Sequence, residues 1–102
     1  MKPHAFHSEA AEEYADAATY FAQVSPELGR RFYDEIELLI QQIRSEPLRF
    51  CRFDPPAQRH LSSVFPYAMI YVEQPDRIWI LAVMHMKRRP GYWKSRIYTV
   101  NR

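Results

Sequence analysis

The chain has 102 residues, 47% hydrophobic and 15% aromatic, which is enough for one compact domain over residues 1–102 and too few for two. A single cysteine, Cys51, excludes an internal disulfide; no apolar run reaches about 18 residues, and MKPHAFHSEA lacks the features of a secretory signal, so a cytoplasmic location without a membrane partner is expected. Net charge is +2, but residues 1–46 hold nine acids against four bases, residues 47–102 hold three against ten, and the seven bases from Arg77 to Arg102 are joined by no acid, a field that favours an anionic partner.

Taken in chain order, HAFH at 4–7 predicts a short strand. Ser8, followed by Glu9, Glu12 and Glu13, predicts an N-cap and first-turn acids for a helix to about Val24. Ala11, Tyr14, Ala15, Ala18, Phe21 and Ala22 recur at three- and four-residue spacing and form its expected core face. Ser25 and Pro26 start a second helix, which Leu28, Phe32, Ile36, Leu39 and Ile43 carry as far as the stop at Pro47. Gly29 costs about 1 kcal/mol of helix propensity, so the alanine-rich first helix is expected to approach closely there. Arg30 with Asp34 and Arg31 with Glu35 are spaced as surface pairs.

The segment PLRFCRFDPPA reads as a loop, and three strands are expected after it, over 58–63, 67–73 and 77–86, the last two joined by a turn at Gln74, Pro75 and Asp76. IWILAVMHM is apolar on both alternating faces, as a strand buried on both sides should be. The predicted fold is α+β: an N-terminal helical hairpin packed on one face of a small, mainly antiparallel sheet, the other face left available to a partner.

Zinc, nucleotide and protease signatures are absent, and with two glycines in the chain a phosphate-cradling glycine loop is excluded. His4 and His7 would point to opposite faces of a strand, so no metal and no cofactor is expected. His85, beside Lys87, Arg88 and Arg89, either exchanges protons or is hydrogen-bonded at a sheet edge. Tyr92 and Trp93 either anchor a partner or fold back on the core.

Together, LGRRFYDEIE in the helical hairpin, the Pro47 stop, RHLSSVFPYAMIY, IWILAVMHMKRRP and the tryptophan just beyond resemble the RelE/ParE toxin superfamily, in its ParE-like plasmid-stabilisation branch, over about Phe6 to Trp93. The resemblance implies the toxin of a type II toxin–antitoxin pair, held in a hetero-oligomer by a cognate antitoxin protein. It implies DNA gyrase as the target of ParE-like members, and ribosome-dependent messenger RNA cleavage by RelE-like ones. For the nuclease the corresponding candidates are Arg59, His60, His85, Arg88 and Tyr92, a partial acid–base set without the lysine-rich strand or the His-Tyr terminus of the nuclease groups. That gap favours protein binding over enzymatic activity, through a target-binding patch of Arg59, Arg77, Arg88, Arg89, Tyr92 and Trp93. A relative that binds an antitoxin without being toxic is the third reading.

Overall fold

The structure is a computed structural model that describes residues 1–98. Arg102, the last cation of the basic run, lies outside the described residues. The elements are β1 (His4–Phe6), α1 (Ser8–Val24), α2 (Pro26–Ser45), β2 (Cys51–Asp54), β3 (Ala57–Leu61), β4 (Tyr67–Glu73), β5 (Ile78–His85) and a final 3-10 turn at Lys94–Tyr98. The strands form one sheet in the order β1-β5-β4-β3-β2, antiparallel except where β1 runs parallel to β5. The fold is α+β, with the two helices packed against the sheet, as the sequence predicts.

Local chemistry explains the helix ends. The Ser25 hydroxyl accepts the Leu28 N–H at 3.0 Å, with Pro26 in the first turn. The α1 cap differs by one residue from the expected one: His7 has non-helical backbone, and its Nδ1 accepts the Glu9 N–H at 3.1 Å, so Ser8 is already helical. A Cβ on Gly29 would lie 2.7 Å from the Ala22 Cα, so the close helix approach expected at this glycine is present. The pairs expected at Arg30–Asp34 and Arg31–Glu35 are not among the ion pairs of the described residues.

The α1 core face keeps Tyr14, Ala18 and Phe21 of the expected one, which pack against the core, but is otherwise rotated. Ala10 and Ala17 are buried, while Ala11, Ala15 and Ala22 are exposed. The segment expected as a loop contains β2, a short edge strand whose order comes from pairing with β3.

The sheet is covered on both sides. On the helix side, Phe32, Ile36, Ile40 and Ile43 meet Met69, Tyr71, Ile78, Ile80 and Val83. On the other side Ala57, Ala68, Ile70, Trp79, Leu81, Ala82 and Met84 form a second cluster with Trp93, and Tyr92 and Ile97 pack against it. The face expected to be available is therefore closed by the C-terminal segment. Three small alanines in the sheet leave room for a large indole above them.

Candidate functional site

The site begins with a bulge in β5. Ile70 pairs with Ala82 but Tyr71 pairs with Ile80, so Leu81 is an extra residue on β5. Strict alternation from Ile80 would place Ala82 and Met84 on the helix side and His85 on the other. The bulge reverses this, so that Val83 and His85 follow Ile80 on the helix side, and the His85 ring meets Tyr67 edge-on at 5.1 Å. A groove of about 240 Å³ lies between these strand ends and α1, lined by His85, Tyr67, Tyr20, Asp16 and Arg88 among others.

A second consequence concerns the edge of β5. Beyond Ile80, whose carbonyl accepts the His7 N–H, β1 no longer covers it, and side chains complete the hydrogen bonding. Glu13 Oε1 accepts the Val83 N–H at 3.0 Å, and Arg96 Nη1 donates to the Leu81 carbonyl at 2.9 Å. Arg96 grips Glu13 with both terminal nitrogens, at 3.1 and 2.9 Å, and the Tyr92 hydroxyl donates to Glu13 Oε2 at 2.9 Å. The Arg96 side chain is 7% exposed and that of Glu13 14%. This cluster fastens the C-terminal segment to α1. Lys94 adds an exposed pair to Asp54 at 2.9 Å.

The nuclease candidates are dispersed. His60 lies on β3, stacked on Phe50 with centroids 3.7 Å apart, and its Nε2 is 2.7 Å from Gln42 Oε1 on α2. His60 pairs with Met69, and Met69 with Val83, so buried Met69 stands between His60 and the β5 strand that carries His85. Arg59 alternates with His60 and shares the opposite face with Ala57. Only His85, Arg88 and Tyr92 gather near one another, around Glu13 and the groove. His85 Nδ1 accepts the Lys87 N–H at 3.0 Å, so the neutral ring carries its proton on Nε2 and offers a donor there. Burial and the bond to Glu13 push the Tyr92 phenol up, which keeps its proton in place.

The target-patch candidates separate as well. Arg77 stacks on Trp79 at 4.6 Å and bonds Gln74 Oε1 at 2.6 Å, at the far end of β5, roughly 23 Å of strand away from His85. Trp93 has no exposed surface. Arg88 and Arg89 are exposed in the turn after β5, and Arg88 stacks on the Tyr92 ring at 3.9 Å. Glu13 and Arg96 were missed by the sequence reading, which placed one among first-turn acids and the other in a basic run. The available signal was the spacing of Glu13 from Ala10 and Ala17, three and four residues away, on a helix whose true core face those alanines define.

Comparison with known proteins adds no relative: no family model matches the chain, and no curated protein matches it. Among the described residues, no helix is long and apolar enough to cross a membrane.

Two half-buried imidazoles give a pH dependence. Burial, with Arg49 second, lowers the pKa of His60, and burial with Arg44 does the same at His4. As pH falls below the ordinary value of 6.5, the unfolded chain takes up protons that the folded chain resists, so this contribution to stability is present above 6.5 and is lost toward the lowered folded values. Unfolding free energy measured in urea is expected to drop as pH falls below the ordinary value of 6.5, and His60→Gln should reduce the drop. An identical pH profile in the variant would remove His60 as a cause.

Proposed function

We propose that the chain is a ParE-like toxin of a type II toxin–antitoxin pair, acting in the cytoplasm by binding a protein target, with DNA gyrase as that target, and neutralised by a cognate antitoxin. The observation that supports binding over RNA cleavage is that the hydrogen bonds of the acid–base candidates leave no base: the His85 ring offers only a donor, at Nε2, and the other two are engaged within the fold. Tyr92 donates to Glu13, His60 contacts Gln42, and His85 Nδ1 receives a backbone N–H. A metal-independent cleavage of RNA needs a free base for the 2′-hydroxyl and an acid for the leaving oxygen. What remains exposed is the Lys87-Arg88-Arg89 turn, a cationic surface suited to electrostatic steering. An apolar groove of about 280 Å³ between Phe6 of β1 and Tyr14, Ala15, Ala18 and Tyr33 of the helical hairpin is consistent with capture of an antitoxin segment.

Arg88→Glu combined with Arg89→Glu tests this. The double variant should keep its thermal midpoint nearly unchanged, because exposed charges contribute little to stability, yet relieve growth arrest and gyrase inhibition. Undiminished toxicity in the folded variant would remove the turn from the mechanism. Ribosome-dependent messenger cleavage abolished by His85→Ala would establish the nuclease reading in its place.

A further inference from the structure

We infer that Glu13, on the first helix, is a positioning residue for the exposed cation Arg88, acting through the ring of Tyr92. The inference rests on the reading above only in that Arg88 belongs to the turn proposed to meet the target.

The chain of contacts is short. Gly91 adopts φ 75°, in the left-handed region that favours glycine, and the chain reverses so that the Tyr92 N–H reaches the Arg89 carbonyl at 3.3 Å. This places the Tyr92 ring under the Arg88 guanidinium at 3.9 Å, while Arg96 approaches the same ring at 5.0 Å. The ring's orientation is then set at its other end, where the hydroxyl donates to Glu13 Oε2 at 2.9 Å. Glu13 is itself held by Val83 N–H and by both terminal nitrogens of Arg96, so it cannot swing away with the loop.

Two physical effects follow. An exposed arginine normally samples many rotamers, and that freedom is lost when it engages a partner; stacking on a fixed ring removes part of the loss beforehand. A phenol hydrogen-bonded to a carboxylate is also more electron-rich, which strengthens attraction of the cation to its face. Asp16 lines the same groove as Arg88, yet no ion pair joins them, so the ring is the contact that orients the guanidinium. The cation of the turn is thereby aimed from a carboxylate on α1.

The side-chain resonances of Arg88 report this directly, since protons above an aromatic face are shifted upfield. In the purified chain the Arg88 Hδ signals should lie upfield of those of Arg89. Tyr92→Leu should bring them to the Arg89 position. Tyr92→Phe, which keeps the ring and removes its tether, should lose a large part of the displacement, and Glu13→Gln should do likewise, because an amide nitrogen would face donors that now meet a carboxylate oxygen. If Glu13 acts through the hydroxyl, Glu13→Gln placed on the Tyr92→Phe background should add much less than it does alone. Full retention of the shift in Tyr92→Phe, or equal effects of Glu13→Gln on both backgrounds, would overturn the inference. These spectra need no target, so their outcome is separate from that of the growth assay with Arg88→Glu.

Discussion

Glu13→Ala is expected to lower the unfolding free energy by about 3–5 kcal/mol, the range for removing one partner of a buried ion pair. The substitution strips four donors on three residues of their acceptor at once: the Val83 N–H, the Tyr92 hydroxyl and the paired nitrogens of Arg96. Arg96, with its side chain 7% exposed, would keep its charge in a place where water reaches it poorly. Glu9 offers little compensation, since it stands 3.8 Å from Arg96 with 61% of its side chain in solvent. Urea unfolding measures the loss, and hydrogen exchange at the Val83 amide should quicken with it. A control separates the lone charge from the lost hydrogen bonds: Glu13→Leu with Arg96→Met still leaves the Val83 N–H, the Tyr92 hydroxyl and the Leu81 carbonyl without these partners but buries no uncompensated charge, so it should cost less than Glu13→Ala alone. A loss below about 1 kcal/mol would mean that Arg96 finds water or Glu9 instead, and that the cluster does not fasten the C-terminal segment.

What the sequence disclosed and what it hid divide along physical lines. The second helix was legible because its signals are local: Ser25 caps, Pro26 starts, and Phe32, Ile36, Leu39 and Ile43 mark a single buried stripe. Gly29 was legible too, since a glycine inside a helix asks for a neighbour that needs its missing Cβ, and Ala22 is that neighbour. The first helix misled because its apolar residues come in adjacent couples: Ala10 with Ala11, Tyr14 with Ala15, Ala17 with Ala18, Phe21 with Ala22. Either member of each couple satisfies a 3.6-residue period, and the two choices differ by about 100° of rotation. Only packing against the sheet selects Ala10 and Ala17.

The site was hidden for a different reason. Its geometry depends on non-local events that leave no periodic trace, chiefly the bulge at Leu81, which decides which face His85 joins. Once the bulge is in place, Leu81 turns its carbonyl to Arg96, and the same Arg96 meets Glu13 some eighty residues earlier in the chain. Composition gave the separation of acidic and basic halves but not this single pairing between them. The exposed part of the basic run, Lys87 to Arg89, was legible as charge; that Arg96 in the same run is buried was not.

Trp93→Ala is the second large effect, and it decides between two roles for the tryptophan. Its side chain has no exposed surface and shares a cluster with Ala57, Ala68 and Ala82, which are themselves fully buried. Alanines cannot extend into the space an indole leaves, and β3 and β4, which carry Ala57 and Ala68, are fixed by ladder pairing on both sides while β5 at Ala82 is fixed by β4, so the cavity should collapse little. The expected destabilisation is about 3–5 kcal/mol in urea unfolding, a large fraction of the stability of a domain this size. Loss of function in that variant would then follow from loosening of the segment that carries Tyr92 and Arg96, without any contact between Trp93 and a target. Trp93→Phe separates the roles further: a phenyl ring refills part of the space, so stability should recover in part, and under the proposed toxin function growth arrest should recover with it. An anchor for a partner would behave in the opposite way, with stability unchanged in Trp93→Ala and target binding abolished in both variants. That pattern would mean that the indole is not packed against the sheet in the free chain, and it would overturn the assignment of residues 92–97 as a fixed cover of the second face.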